Sequence, residues 1–224
     1  MNAIQPDRFK LTKLTDTQVV QRVLEGEKEL FEILLRRYNQ RIFRVIRSYI
    51  NSEDDVQDVM QEAYVKAYLK LYQFNNKASF STWLIRIAIN EALQQIRRKK
   101  RIAVNYGKTE SLENVFQLPD TNPMNPEKQT IKTENRAFIE MAVDKLPEKY
   151  RVIFMLHHVE GLSNSEIVDC LKISDSNVKV RLHRAKKLLK EELFKITDDA
   201  SIFEFGNQKC DAMVEKVMLQ IQKL

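Results

Sequence analysis

The chain has few of the residues that bend, loosen or cross-link a small fold. Its 224 residues include only 4 Gly, 5 Pro and 2 Cys. Scarce Gly and Pro favour long uninterrupted helices, so we expect an all-α protein. The two cysteines, Cys170 and Cys210, belong to no CxxC pair, which argues against a disulfide framework and a zinc finger. Reduced thiols, and no metal or other cofactor, are expected.

Long apolar runs are missing as well. No segment approaches the roughly 18 apolar residues that suggest a membrane span, and the N-terminus lacks the basic-then-apolar order of a signal peptide. We therefore expect a cytoplasmic protein with no membrane insertion of its own. With 37 basic and 31 acidic residues the formal net charge is +6, which favours a polyanionic partner such as nucleic acid.

The segment from Leu162 to Leu193 has the pattern of a helix-turn-helix. Ser163 and Glu166 stand at capping-box spacing and predict the start of a first helix. Its buried face is predicted to comprise Ile167, Val168 and Leu171. In the break that follows, helix-turn-helix motifs often have a glycine, but this chain has Lys172. A left-handed backbone at that position would cost a lysine about 1 kcal/mol. The second predicted helix has an apolar stripe of Val178, Leu182, Ala185, Leu189 and Leu193.

The opposite side of this second helix is cationic. Such a face fits the phosphate-lined major groove of duplex DNA. A solvated basic helix in an ordinary bundle is the alternative, and the charge run alone would favour it. The capped first helix and the tight turn favour recognition of DNA instead. The predicted contacts are Lys179, Val180, Arg181, His183, Arg184 and Lys187.

A helix predicted from about Glu53 to Tyr72 bears a local acidic patch in this basic protein. Four residues of the patch lie within roughly 120° of one another on the helix surface. A solvated helix start explains them as well, since acidic residues favour the helix dipole there, so spacing alone leaves both interpretations open. The four residues are Asp55, Asp58, Gln61 and Glu62.

A polar loop between aromatic residues, from Phe74 to Phe80, precedes a helix predicted from about Ser81 to Arg101. Such loops suit unpaired bases, although a plain interhelical loop is the commoner explanation in isolation. The helix has a second polar and cationic stripe, in which Asn90 can pair with an adenine edge while arginines hold phosphates. The stripe comprises Arg86, Asn90, Gln94, Arg97 and Arg101.

The regular pattern ends between the two predicted domains, at residues 105–130, where three of the five prolines lie. We predict a flexible linker there, between helical domains at 15–104 and 131–193. In the extension, 194–224, an amphipathic helix after Asp211 is predicted to dock on the second domain; oligomerisation or a disordered end is equally compatible. The adjacent His157 and His158 point about 100° apart and are not expected to share a metal.

Four blocks in order resemble bacterial sigma factors of the extracytoplasmic-function type. They read DDVQDVMQEAYVKAY, FSTWLIRIAINEALQQIRRKKR, LPEKYRVIFMLHHVEGLSNSEIVDCLKIS and NVKVRLHRAKKLL, and the resemblance spans about residues 15–193. It implies a non-enzymatic initiation factor whose partners are core RNA polymerase, through the beta-prime clamp helices and the beta flap, and promoter DNA. The acidic patch would dock on the clamp helices. A membrane-bound anti-sigma factor is a further implied partner, although nothing in the chain specifies one.

The resemblance also divides promoter recognition between the domains. The second domain would read the minus-35 duplex, and the first would hold flipped minus-10 bases and so help melt the DNA. Elements some 16 base pairs apart lie roughly 55 Å apart, a span that a fully extended linker of about 26 residues can bridge. The implied minus-10 contacts are Asn75, Asn76, Lys77, Trp83, Arg86, Asn90, Arg97 and Arg98.

Two other functions fit parts of the pattern. A conventional helix-turn-helix regulator would bind palindromic duplex as a dimer and would make no contact with polymerase. A metal-dependent nuclease could be built on the acidic helix, but its carboxylates lack accompanying histidines, and we expect no cleavage when magnesium is added. Neither accounts for all four blocks.

Overall fold

A computed structural model describes residues 13–105 and 137–197 together with Met218, and all regular elements in these ranges are helical. The described residues fall into two compact units. The larger contains residues 13–105 and 146–186, and the smaller contains residues 137–145 and 187–197 with Met218. Among the described helices, none combines the length and apolar character of a membrane span.

Thr15 and Gln18 stand at capping-box spacing in the sequence, which predicts a helix start, and the first helix, α1 (Asp16–Leu24), begins there. The Thr15 side chain accepts from the Gln18 backbone, and the Gln18 side chain accepts from the Thr15 backbone N–H at 2.9 Å. These bonds satisfy two donors that a helix start otherwise leaves unpaired. Gly26 follows the helix with φ of 116°, a conformation that favours glycine. A glycine after this apolar segment predicts the end of the helix, and the helix does end before Gly26.

Three longer helices form the core of the larger unit. They are α2 (Phe31–Arg47), preceded by the 3-10 turn Lys28–Leu30, α3 (Glu53–Leu69) and α4 (Phe80–Asn105). The apolar residues that recur at helical spacing along them are buried, with exposures of at most 1% for Leu34, Ile42, Ile46, Val56, Val59, Ala63, Leu84, Ile85 and Ile89. Each buried leucine or isoleucine here would cost about 2–5 kcal/mol if truncated to alanine.

Some predicted helix ends need correction. The third helix stops at Leu69 rather than Tyr72, because the chain tightens into a 3-10 turn at Leu71–Gln73 that keeps Leu71 buried. The next helix begins at Phe80 and continues past Arg101 to Asn105. Such ends depend on local turn geometry rather than on the apolar period.

The helix-turn-helix begins with a supporting helix in the larger unit. This helix, α6 (Glu148–Phe154), is preceded by α5 at residues 137–144 and continues as a single wide π turn, Met155–Val159. Proline is tolerated at the first position of a helix, so the sequence predicts Pro147 there. In the structure it stands one residue earlier, as the N-cap of α6. The π turn, which the sequence did not indicate, precedes Gly161 at φ of 72°.

The two predicted helices of the motif are α7 (Asn164–Leu171) and α8 (Asp175–Thr197). The capping box of Ser163 and Glu166 is present. Lys172 adopts the left-handed conformation at φ of 56° and ψ of 43°, which confirms the strained turn. On α7 the buried residues are Ile167 and Cys170, whereas Val168 and Leu171, predicted to be buried, are half-buried.

The smaller unit is made of α5 and the C-terminal part of α8. Lys145 lies 3.9 Å from Glu192, while Phe138, Ile139 and Phe194 stay 45%, 50% and 60% exposed. Three predictions fall on residues that lie outside the described ranges and stay predictions. They are the linker beyond Asn105, the docking helix after Asp211, apart from Met218, and the reduced thiol of Cys210. The domain boundaries also stay predictions. Met218 is helical and exposed.

Candidate nucleic-acid and polymerase interfaces

The outward face of α8 is cationic, as the sequence predicted. Lys179, Val180, His183 and Arg184 are exposed, and Lys179 forms an ion pair of 2.7 Å with Asp175 one turn earlier. Arg181 is half-buried and therefore less available to a ligand. One turn beyond, Lys187 is exposed and lies 4.0 Å from Glu191. Exposed pairs of this kind contribute little to stability, so these cations remain free to exchange partners.

The predicted stripe on α4 lines an open groove. Its exposed members are Asn90, Gln94, Arg97 and Arg101, and Leu93, Arg98 and Ile102 complete the groove lining. Arg86, the fifth predicted member, is half-buried and lies 3.9 Å from Asp169 of the helix-turn-helix. The α4 surface therefore offers amides and guanidinium groups to an anionic strand along more than three helical turns.

The loop before α4 is supported by an aromatic cluster. Phe74, Phe80 and Trp83 contact one another with ring centroids 5.4 to 5.6 Å apart, in edge and tilted arrangements. The polar residues Asn75, Asn76 and Lys77 are exposed above it. Thr17 donates to the Asn76 side chain at 3.3 Å, and Asn76 adopts φ of 57°.

The acidic patch on α3 separates into two parts. Asp58, Gln61 and Glu62 are exposed, whereas Asp55 is half-buried and forms an ion pair with Lys99 of α4. Burial of Asp55 disfavours its charged form and so raises its pKa, but hydrogen bonds with Lys99 and Ser52 outweigh this effect. The net result is a lowered pKa. Asp55 therefore ties α3 to α4. Glu62 lies 3.7 Å from Arg98, which lines the groove beside the α4 stripe.

The same outward face becomes apolar further along. Val65 and Leu69 of α3 are 54% and 65% exposed, and Tyr72, just beyond the helix, is 69% exposed. An exposed apolar group next to polar residues is typical of a protein-binding surface. No prediction was made for these three residues, although apolar side chains at outward helical positions are a signal in the sequence.

A buried acidic residue was also missed. Glu160, whose side chain is fully buried, accepts from Arg41 Nε at 2.8 Å and from Arg44 Nε at 2.6 Å. Arg41 also donates to the Glu160 backbone oxygen at 3.0 Å. Glu160 therefore joins the end of the helix that supports the helix-turn-helix to α2. The only sequence signal was an acidic residue just before a helix-ending glycine.

Two further titratable groups lie on α7. Hydrogen bonds from the Thr82 side chain and from Ser163 lower the pKa of Glu166, and burial raises the pKa of the Cys170 thiol to about 11. A thiol in that state is a weak nucleophile and a packing residue. Among the described residues, no group of three or more His, Cys, Asp and Glu side chains could hold a metal.

Known proteins match both helical regions. Residues 34–102 match Sigma-70 region 2 and residues 139–189 match Sigma-70, region 4. The RNA polymerase sigma-H factor of Pseudomonas aeruginosa is 32% identical over 187 residues, which cover 82% of this chain and 96% of that protein. The ECF RNA polymerase sigma factor SigW of Bacillus subtilis is 30% identical over 177 residues, 78% of this chain and 94% of that protein.

A solved structure supports the fold. The sigma factor RpoE of Bartonella quintana, crystallised with the anti-sigma factor NepR, matches with a TM-score of 0.59 at 19% identity, over 73% of this chain and 96% of that one. The fold and the sequence matches together define an initiation factor built from Sigma-70 regions 2 and 4. The chain belongs to the extracytoplasmic-function family of RNA polymerase sigma factors.

The family assigns the chain its function. It is a sigma factor, which binds core RNA polymerase, directs it to promoters and promotes transcription initiation. Sigma factors are initiation factors rather than enzymes. The family membership sets aside the dimeric regulator and the nuclease, because neither contains both Sigma-70 regions.

Proposed function

We propose that region 4 of this sigma factor reads the minus-35 element with the outward face of α8. The exposed cations on that face carry the assignment. Lys179, Arg184 and Lys187 would hold phosphates, while His183 and Val180 would reach base edges, where the valine methyls can contact a thymine methyl. Arg181, being half-buried, would make a smaller contribution. A helix at this position of a helix-turn-helix is the element that enters the major groove.

Region 2 would bind the minus-10 element and help open it. Asn90, Arg97 and Arg98 of α4 are proposed to hold the strand, and Arg86 would join them when it is released from Asp169. Asn75, Asn76, Lys77 and Trp83 would surround an unstacked base. Flipping a base costs a few kcal/mol, which stacking and hydrogen bonds in a pocket can offset. Melting by this route needs no ATP.

The outward face of α3 is proposed to dock on the beta-prime clamp helices. Asp58, Gln61 and Glu62 would make the polar contacts, with Val65 and Leu69 as an apolar continuation. Asp55 would act mainly by holding α3 against α4. Region 4 would contact the beta flap, and a membrane-bound anti-sigma factor would restrain the protein in the cytoplasm.

In vitro transcription tests the minus-35 assignment. The triple variant K179A/H183A/R184A should lose initiation on a promoter that needs its minus-35 element, and its DNA affinity should depend less steeply on salt. The control R36A/K70A removes two cations from exposed positions outside the proposed DNA surfaces. If the triple variant initiates like the control, the α8 assignment is wrong.

Polymerase binding is tested at Gln61 and Glu62. Both are exposed, so Q61A/E62A should leave stability within about 0.5 kcal/mol of the parent protein while weakening affinity for core polymerase. The matched control is Q21A/E25A. It removes an exposed pair in which Gln21 of α1 donates at 3.0 Å to Glu25, the residue that follows the helix. If the two variants bind core polymerase with equal affinity, the acidic patch is a solvated helix start and not a docking surface.

A further inference from the structure

The start of the helix that supports the helix-turn-helix touches the cationic face of α8. Tyr150, in the first turn of α6, holds its hydroxyl oxygen 3.5 Å from Nη1 of Arg184, and the guanidinium donates to that oxygen. Both residues belong to the larger unit. Because Arg184 is a proposed minus-35 phosphate contact, the phenol stands at the edge of the proposed DNA surface.

The position of Arg184 on α8 explains how an outward cation meets a buried ring. Arg184 is exposed, but the next residue, Ala185, is fully buried in the apolar stripe. Successive helical residues point about 100° apart, so Arg184 stands near the border between the two faces. From this border the long side chain can reach both α6 and a bound DNA strand.

The ring of Tyr150 gives the hydroxyl a fixed place. The residue is only 8% exposed, whereas an exposed arginine side chain samples many rotamers. Ordering such a side chain on binding costs affinity, and a contact that already orients it reduces this cost. At 3.5 Å the hydrogen bond is long, so it orients the guanidinium without immobilising it. The other N–H groups of the guanidinium point elsewhere and suit a phosphate.

Lys149 is a second cation at the same phenol. Its Nζ lies 5.0 Å from the centroid of the Tyr150 ring, which is within the range of a cation–π interaction. The hydrogen bond from Arg184 lowers the pKa of the Tyr150 hydroxyl; burial opposes this, and the charge of Lys149 adds to the lowering. The two cations repel each other, and their shared attraction to the phenol offsets that repulsion. Tyr150 thus lets both cations occupy one edge of the surface.

We propose that Tyr150 is a positioning residue for minus-35 recognition, whose hydroxyl orients the Arg184 guanidinium for a backbone phosphate of duplex DNA. The inference rests on the proposed minus-35 role of α8. The hydroxyl acts through Arg184, so its contribution to DNA affinity should disappear when Arg184 is absent. A hydroxyl that only stabilised the fold would instead weaken DNA binding by the same factor with or without Arg184.

Binding of minus-35 duplex by the reconstituted holoenzyme tests the proposal. The probe is a fluorescently labelled duplex with the minus-35 element of a promoter that the parent holoenzyme transcribes. It ends upstream of the minus-10 element, and unlabelled duplex of randomised sequence is present as competitor. Tyr150→Phe should weaken affinity about threefold and Arg184→Ala about tenfold, since hydrogen bonds to charged groups span this range. The double variant should bind no more weakly than Arg184→Ala alone.

The matched control is Tyr64→Phe. It removes a buried phenolic hydroxyl of region 2 that has no hydrogen-bond partner within the described part of the chain, so its affinity for the duplex should equal that of the parent protein. Thermal unfolding of each variant accompanies the binding measurement. The Tm of Tyr150→Phe should stay near that of the parent protein, because the ring and its packing are retained.

The outcomes separate the inference from the proposed function. If Tyr150→Phe binds like Tyr64→Phe while Arg184→Ala is weakened, the hydroxyl does not position Arg184, and the minus-35 role of α8 stands. If Tyr150→Phe weakens binding equally in the parent and in the Arg184→Ala background, the hydroxyl acts without Arg184 and the inference is wrong, whatever the Tm. If Arg184→Ala binds like the parent protein, the proposed phosphate contact of Arg184 fails, and the positioning role fails with it.

Discussion

Replacing Lys172 with glycine should stabilise the protein, although it shortens a side chain and adds freedom to the unfolded chain. Lys172 closes α7 with φ of 56° and ψ of 43°, and its backbone N–H donates to the Val168 oxygen at 2.9 Å. Glycine keeps that hydrogen bond and removes the Cβ clash of the left-handed conformation, which costs about 1 kcal/mol. The Lys172 side chain is exposed, so little packing is lost.

The extra freedom of glycine in the unfolded chain offsets part of this cost, so the expected gain is about 0.5 kcal/mol. This corresponds to roughly 1–2 °C in Tm for a cooperative unit of about 150–250 residues. Thermal unfolding followed by circular dichroism measures it, with urea unfolding as a second readout. The matched control is Lys186→Gly, an exposed lysine inside α8, where glycine should cost about 1 kcal/mol because the helix needs ordinary backbone angles. The same chemical change should therefore have opposite signs at two sites.

Opposite signs would tie the effect to backbone conformation rather than to lost charge. If both variants are destabilised, Lys172 does not hold a left-handed backbone in solution. If both are unchanged, the unit that melts does not include the helix-turn-helix. An intermediate gain for Lys172→Asn would support the reasoning further, since asparagine tolerates this conformation better than lysine does.

Three smaller changes test other parts of the structure. D55N should lower the free energy of unfolding by about 0.5 kcal/mol at neutral pH. The pKa of Asp55 is lowered in the folded protein, so its charge stabilises the fold above the ordinary carboxyl pKa, and this contribution is lost as the pH falls through the lowered pKa. The free energies of unfolding of the parent protein and the variant should therefore converge below about pH 4. Ser163→Ala should cost about 1 kcal/mol through loss of the α7 cap, measured by urea unfolding. Val180→Ala should change the preference among minus-35 sequences by about 1 kcal/mol or more. The salt dependence of the variant's DNA affinity should stay that of the parent protein.

Much of the fold could be predicted because its determinants are local. Capping boxes at Thr15 and Ser163 require partners only three residues away, and both are present. The apolar stripes of α2, α3 and α4 repeat at helical spacing, and those stripes are buried. Gly26 and Gly161 take positive φ at the ends of helical segments, where glycine is favoured.

The errors occur where local geometry decides. The end of α3 was placed too late because Leu71 and Tyr72 continue the apolar composition, although the backbone has already entered a 3-10 turn. Pro147 suits both the cap and the first helical position, and the structure uses the cap. The π turn at Met155–Val159 adds one residue to a helical turn and has no signature in the period of a short helix.

Exposure on the predicted surfaces was easier to predict than charge pairing. Outward residues such as Lys179 and Gln61 follow from helical geometry alone, and both are exposed. Glu160 could not be placed in this way, because its arginine partners lie 116 and 119 residues earlier in the chain. An ion pair over that distance depends on how helices pack, which a single sequence does not encode as a period.

Arg86 shows why composition alone could not settle how the surfaces are used. On α4 it continues the stripe of Asn90 and Arg97, and this position predicts contact with DNA. The structure places it beside Asp169 of α7, where it pairs with an acidic residue of the same chain. A guanidinium group suits carboxylate and phosphate equally well. The pairing with Asp169 therefore does not conflict with the proposed contact to DNA, because the same side chain suits either partner.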